Sequence, residues 1–487
     1  MKVLVQLALT VPLLGAVLAL LLEFFPENTK KRIFRYVFVV PLIELVLVLF
    51  ALPQSLRNSS MGFSLSLWFG APRVGIEFWL APLSLIMVAL ASFVAFVSLL
   101  QEQEKPTPRF YALYLLMLFA TTGMVLTNDV FNLFVFLEIA LISSVALVAT
   151  RGGREALEAS IRYLLIGAVA SAFMLLGIAL FYRATGNLNF YFANEFLSGS
   201  PASSLLPYEL TYLIFVLLLM GLMVESAQFP LFYWLFDAHP AAPATVSSYL
   251  SGILIGSASY ALYRVSFLSW GFSSRHLILW IGLITFVVAE IGAVFQKDMK
   301  RTLAYSSAGA QGLFVASVAS GAFGPAFVYL LNHALSKALL FAASGYMTEG
   351  SGSRIRGEVR GNIVQKVAFS AGALSLSGLP GTLGFVAKIT LLASLVSVSP
   401  LLFYTVLALL PVEFLYWGVW IKSIKRDEGI VSSVKEILAY AFYVVPVILL
   451  GLVGLVLLVG SLPDLRPEFI RFFDDAMKGA LPWLRGS

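Results

Sequence analysis

Helix-length apolar segments follow one another along almost the whole chain, and lipid is the only solvent that suits such a pattern. About 20 predominantly apolar residues cross a bilayer as a helix. The sequence offers fourteen such candidates, centred near Gly15, Glu44, Met87, Met117, Ile139, Met174, Leu218, Ile253, Thr285, Leu313, Leu335, Leu379, Leu409 and Leu449. Charged residues make up 12% of the 487 positions, about half the roughly 25% of soluble domains. Lipid demands that backbone N–H and C=O groups be satisfied internally. The expected fold is therefore an all-α polytopic membrane protein with about 14 transmembrane helices. Val3 to Leu22 is too long for a signal h-region and lacks an Ala-x-Ala-like exit, so it reads as the first span.

The chain has no cysteine and three histidines, at 239, 276 and 333. Disulfides, thiolate metal sites, Fe–S clusters and cysteine nucleophiles are excluded. The histidines are too scattered for a metal site, and no cofactor is expected. The net charge of +6 sits mostly in short loops, where it sets topology; it does not indicate nucleic-acid binding. One set of loops carries twenty Lys and Arg, including Lys30, Lys105, Arg151, Lys300, Arg354 and Lys425, and the opposite side carries ten, including Arg73, Arg264 and Arg466. The basic-rich side reads as cytoplasmic, with both termini external in a cell membrane.

Lys337 and Lys388 break the pattern, because each lies inside an apolar segment. The other thirty Lys and Arg can be placed in loops, tails or segment ends. A charge at bilayer depth costs at least about 2.5–3.5 kcal/mol, so it usually marks an ion or proton pathway. Glu44, Glu138, Glu225, Glu290 and Glu413 lie at similar depth. Glu138 is near the middle of the fifth span. His333 is four residues before Lys337, on one helix face with it, and the two read as a proton relay. Glu413, beside Pro411, is placed to pair with Lys388. Glu290 reads as close to the cytoplasmic interface, and Glu44, in an early span, as facing a partner subunit.

Two spans read as broken. In the seventh, MGLMVESAQFPLFYW, Pro230 removes a helical hydrogen bond and frees the Ser226 carbonyl beside Glu225. In the twelfth, LSLSGLPGTLGFVAK, Gly378, Pro380, Gly381 and Gly384 cluster before Lys388. Interrupted helices at corresponding places in two halves are a sequence pointer to a transport site.

The segments ESAQFPLFYWLFDAHPAAPATVS, QKDMKRTLAYSSAGAQG, VYLLNHALSKALLF and SLSGLPGTLGFVAK resemble the antiporter-like subunits of respiratory complex I, of Mrp-type cation/proton antiporters (above all their D-type subunit) and of membrane-bound hydrogenase-type complexes. The resemblance implies two inverted five-helix repeats, at residues 106–268 and 269–425, between peripheral spans in 1–105 and a last span with an external tail in 426–487. It also implies half-channels joined by a row of buried charges. Glu138, His333, Lys337 and Lys388 match family positions. Glu225 stands where the family usually has a central lysine, and Gly256 where it usually has an eighth-span lysine. The implied function is proton or sodium translocation within a larger redox-driven or Mrp-type complex. The implied partners are other membrane subunits and a peripheral redox module, because the chain carries no redox centre of its own. Two other readings fit the same residues: a degenerate structural subunit, suggested by the lost lysines, and a stand-alone transporter of a small solute.

Overall fold

The computed structural model describes residues 2–26, 28–29, 37–57, 64–66, 76–102, 107–199, 207–270, 274–427, 432–460 and 468–479. Several of the basic residues used above for orientation, among them Lys30, Arg73, Lys105 and Arg466, lie outside these segments.

The architecture is helical. The N-terminal helices are α1 (Lys2–Leu21), α2 (Val39–Arg57) and α3 (Pro82–Gln101). A first group follows: α4 (Pro108–Leu126), α5 (Val130–Ala149), α6 (Gly153–Thr185), the short α7 (Phe190–Gly199), α8 (Tyr208–Glu225), α9 (Tyr233–Ala241), α10 (Ala244–Tyr249) and α11 (Ile255–Ser266). The second group comprises α12 (Ser274–Phe295), α13 (Met299–Ala319), α14 (Phe323–Ser351), α15 (Ile363–Ser377), α16 (Leu383–Val398) and α17 (Pro400–Ser423), after which come α18 (Val434–Gly460) and the short α19 (Glu468–Gly479). Strand pairing among the described residues comprises two small pairs, Ser64–Ser66 with Glu77–Trp79 (antiparallel) and Arg360–Gly361 with Lys425–Arg426 (parallel), and isolated bridges such as Asp129 with Asn189.

Eleven helices among the described residues are long and apolar enough to cross a membrane. The segments expected as the eighth, tenth and twelfth spans are helical but fall outside that set, each for a physical reason. The eighth is divided into α10, a π turn at Leu250–Leu254 and α11. The tenth, α13, is rich in Ala, Gly and Ser because it packs closely on α12. A Cβ on Gly312 would lie 2.6 Å from the Phe286 nitrogen, and one on Gly282 2.6 Å from the Ala316 nitrogen. A helix covered by protein rather than lipid need not be strongly hydrophobic. The twelfth is divided into α15 and α16.

Local chemistry sets the helix starts. Asp129 caps α5 by accepting from the Asn132 N–H at 2.7 Å, and Asp298 caps α13 by accepting from Arg301 N–H at 3.1 Å. Asn362 and Gln365 form a capping box at α15, which satisfies backbone donors that have no helical partner. The most enclosed span is α14, with 94% of its apolar window buried, against 22% for α17 and for α18. The chain thus wraps its other helices around the one that carries His333 and Lys337.

Both expected breaks are present. Helix α8 ends at Glu225, Ala227 adopts a positive φ of 52°, and helix resumes at Tyr233. The Ser226 carbonyl is not free, as Pro230 alone suggested: the Gln228 side chain donates to it at 2.9 Å. Trp234 Nε1 caps the Val224 carbonyl in the same way, and Phe229 N–H donates to Thr285 Oγ1, each at 2.9 Å. Side chains therefore replace the lost helical bonds. In the second break, Gly378 and Gly381 both have φ near 88°, a conformation that glycine adopts without steric cost. A Cβ on Gly378 would lie 3.1 Å from Lys388 Cδ, so the missing side chain makes room for the lysine stem.

Candidate ion-translocation site

Lys388, on α16, forms an ion pair with Glu413 on α17. Their side chains are only 7% and 13% exposed, so the pair expected from depth alone is an enclosed one. Glu290 on α12 accepts from the Tyr416 hydroxyl at 3.0 Å and interacts electrostatically with Glu413, Lys388 and Lys337. It is 3% exposed and belongs to this cluster of charges, where the sequence alone placed it close to the cytoplasmic interface. Its carboxylate lies over Gly309 of α13, where a Cβ would come within 2.5 Å of Oε1.

Lys337 is fully buried, and its ammonium donates to the Leu303 carbonyl at 3.0 Å. It also lies 5.3 Å from the centre of the Trp417 ring. No carboxylate among the described residues touches it; Glu290 and Glu413 act on it from neighbouring helices. His333 does not bond to Lys337 directly, although the two share a helix face. Its Nε2 bonds to the Ser251 carbonyl at 3.2 Å. That acceptor lies in the π turn, a geometry that recurs at functional sites. Ser251 Oγ meets Ser307 Oγ at 2.6 Å, and Ser307 donates to the Leu303 carbonyl at 2.8 Å, the same oxygen that Lys337 uses. The histidine–lysine link thus runs through two serines and two backbone carbonyls of the eighth and tenth spans.

Three enclosed charged or titratable groups escaped the sequence reading, two of them, His239 and Lys300, in this region. His239 is fully buried on α9, stacked on Phe341 with ring centroids 4.4 Å apart, and neither ring nitrogen has a hydrogen-bond partner. It lies between Lys337 and Lys300 electrostatically. Lys300 is also fully buried, donating to the Ala242 carbonyl at 3.1 Å, and Arg264 is 2% exposed. Lys337 and Lys388 are therefore not the only enclosed cations: Lys300 and Arg264 lie at segment ends, as placed from the sequence, but are buried there. Both sit at helix ends where tertiary packing closes over them. The signal available for His239 and Lys300 was their presence inside the quoted motifs FDAHPAAPATVS and QKDMKRTLAY.

The segment between α9 and α10 is held by cations from three other helices or loops. Arg151 donates to the carbonyls of Pro240 and Ala242 at 3.4 and 3.2 Å, and Arg354 donates to Pro240 at 2.7 Å. Asp237 pairs with Arg162 and Arg301, at 2.8 and 3.1 Å, and Arg354 with Glu155 and Asp298, at 2.6 and 3.0 Å. These bonds tie the two helix groups together at one end.

The first group is built differently. Glu225 is 3% exposed and accepts from the Tyr163 hydroxyl, with 3.3 and 3.2 Å to its two oxygens. Tyr163 is stacked on Trp234 with ring centroids 3.7 Å apart. Glu138 interacts electrostatically with Glu225 but shares no hydrogen bond with it, and its Oε1 is buried without a partner. A narrow crevice opens beside Glu225, lined by Leu137, Leu141, Ser171 and Met174 among others. At the Gly256 position a Cβ would meet Leu330 Cδ1 at 3.2 Å, so the apolar face of α14 closes this place. Glu44 does not face outward as its early span suggested: it is fully buried and accepts from Thr122 of α4 at 2.8 Å.

The family model described as NADH:quinone oxidoreductase/Mrp antiporter, TM, matches residues 127–411. The chain belongs to this family. It is 35% identical to NADH-quinone oxidoreductase subunit N of Desulforudis audaxviator over 359 residues, 69% of this chain and 70% of that protein. It is 29% identical to the D-type subunit of the Na(+)/H(+) antiporter of Alkalihalophilus pseudofirmus over 386 residues, 71% of this chain and 77% of that protein. Its fold superposes on a chain of the membrane-bound sulfane sulfur reductase, an archaeal respiratory membrane complex, with a TM-score of 0.86, 25% identity and 99% of both chains covered. A chain of the Mrp complex from Dietzia superposes with a TM-score of 0.80 and 23% identity over 99% of this chain and 100% of that one. The chain is thus a multi-pass, antiporter-like membrane subunit, as the motifs implied.

Proposed function

We propose that this chain translocates protons as one subunit of a larger membrane complex, through the row Lys388–Glu413–Glu290–Lys337–His239–Lys300. The observation that carries the reading is that row itself. Enclosed titratable groups from six helices interact in sequence, and its Lys388 end lies beside a broken helix. Three of its members are lysines, and a fourth is a histidine with unpartnered nitrogens. An ammonium group only donates, so a row built on lysines suits protons better than sodium. Membership of complexes in the named relatives supports partners of the same kind here, with any redox energy supplied by them. The bias of twenty basic residues to one side against ten supports a cell-membrane location with both termini external. The breaks after Glu225 and before Lys388 support two inverted repeats, 106–268 and 269–425.

The test is proton movement by the intact complex in proteoliposomes, followed with an entrapped pH-sensitive dye. Lys337→Ala should assemble and abolish driven proton movement. Undiminished movement in assembled Lys337→Ala and Lys388→Ala complexes would overturn the reading.

A further inference from the structure

Glu44 is an enclosed carboxylate that this reading leaves without a role. It sits on α2, a helix with only 28% of its apolar window buried, so the chain had lipid-facing positions to spare and yet turns this group fully inward. Thr122 of α4 donates to Oε1 at 2.8 Å, and Oε2 is buried with no partner. Ser92 of α3 adds a hydroxyl beside the carboxyl but spends its own proton on the Val88 carbonyl at 2.8 Å. On the remaining side α1 is apolar from Val3 to Leu21 apart from Gln6 and Thr10. Among the described residues no lysine or arginine pairs with Glu44. An ionised carboxylate with one hydroxyl donor and no cation is an expensive occupant of such a place, and neutralisation by a proton is the usual resolution.

The same place touches the eighth span. Tyr249, the last residue of α10, bonds to Thr121, the neighbour of Thr122, at 2.5 Å between hydroxyl oxygens, and it interacts electrostatically with Glu44. Tyr114 of α4 closes the other side of the phenol, with ring centroids 5.5 Å apart. Two residues after Tyr249, Ser251 presents its carbonyl to His333 and its hydroxyl to Ser307. A carbonyl can accept only from a protonated ring nitrogen, so Nε2 carries the proton and Nδ1, buried without a partner, is the nitrogen left to accept one.

We propose that Glu44 is a proton-holding residue that feeds the central row from the side, by way of the Tyr249 hydroxyl to Nδ1 of His333, the nitrogen that the π turn leaves free. The branch reaches the row without using Glu225 or Gly256, the two positions where this half departs from the family pattern. In the transfer the Glu44 carboxyl loses its proton, the Tyr249 oxygen takes one and releases its own, and His333 Nδ1 gains one. The carboxylate and imidazolium so formed balance the charge; His333 then passes its extra proton to the row over the serine link toward Lys337, and reloading Glu44 restores the start. The inference rests on proton translocation by the row.

The experiment uses the intact complex in proteoliposomes, with infrared absorption as a second readout. Wild type should show a carboxylic-acid carbonyl band that Glu44→Gln removes. Glu44→Gln and Tyr249→Phe should each slow proton movement at least about tenfold, a modest share of what a positioned proton-transfer group contributes, with assembly unchanged. Glu44→Asp should recover part of the rate. Normal movement in Glu44→Gln, with Lys337→Ala inactive in the same preparation, overturns the branch and leaves the row standing. If Glu44→Gln fails to assemble, normal movement in Tyr249→Phe overturns the branch equally. If Lys337→Ala is also normal, it is the underlying reading that fails.

Discussion

Lys337 and Ser307 share one acceptor: both donate to the Leu303 carbonyl, at 3.0 and 2.8 Å. The buried ammonium is therefore held by a backbone dipole that also anchors the serine link to His333. Removing the hydroxyl should free the carbonyl for Lys337 alone and cut the link. Ser307→Ala is expected to assemble normally and slow proton movement by a smaller factor than Lys337→Ala. Equal rates in Ser307→Ala and wild-type proteoliposomes would show that the link carries no protons.

The Lys388–Glu413 pair predicts an asymmetry between single and double changes. Breaking a buried pair by removing one partner leaves an uncompensated charge, typically at a cost of about 3–5 kcal/mol, whereas replacing both by apolar groups of similar volume is often neutral. Lys388→Met and Glu413→Leu should each lower the melting temperature of the purified complex. The double variant should recover most of the stability and none of the transport. A double variant as unstable as the singles would indicate that the pair is not the source of the cost.

Much of this site was legible because a charge inside an apolar run is conspicuous. Glu138, Lys337 and Lys388 announce themselves that way, and the glycine cluster before Lys388 marks its break. Lys300 and Arg264 were not legible, since each ends an apolar run, where a charge ordinarily reaches water. Lys300 is enclosed by the α9–α10 segment, whose Ala242 carbonyl it engages, and that is a tertiary contact without a periodic signature. Arg264 is enclosed likewise by Thr127 and Asn128, at 2.5 and 2.9 Å. The Ser251–Ser307 contact depends on the register of two helices 56 positions apart, and serine is too common to mark it. Hydropathy also under-read α13, because its neighbours are protein backbone.

Gly309 offers a change that should alter the site without unfolding it. The Cβ of Gly309→Ala would lie 2.5 Å from Glu290 Oε1, the far end of a flexible side chain. The carboxylate can move aside, so assembly should survive. The displacement should disturb the bond from Tyr416 and the spacing from Glu413, and proton movement should fall. Tyr416→Phe is the companion test, since it removes the same bond from the other side. Wild-type rates in both would show that the position of the Glu290 carboxylate is not critical.

The two helix groups should also contribute unequally. The second has alternating charges, with Lys388 against Glu413 and Glu290 beside Lys337. In the first, Glu138 and Glu225 are both carboxylates in a low-dielectric setting, and the group nearest Glu225 is a neutral phenol. Two like charges there repel unless a proton or a bound cation stands between them, and sodium, with its preference for oxygen, fits that place in a way it does not fit the lysine row. Glu225→Gln should remove the repulsion and weaken any dependence of activity on sodium, while leaving proton movement through the second group largely intact. Glu225→Lys changes the local charge by about two units if the carboxyl is ionised and restores the residue the family usually carries. It should alter or uncouple transport, with Tyr163→Phe producing a milder change in the same direction because only a hydroxyl is lost. Sodium titrations of the three variants in the intact complex measure this. Unchanged transport and unchanged sodium response in both Glu225 variants would make the Glu138–Glu225 region a scaffold and place all translocation on the row from Lys388 to Lys300.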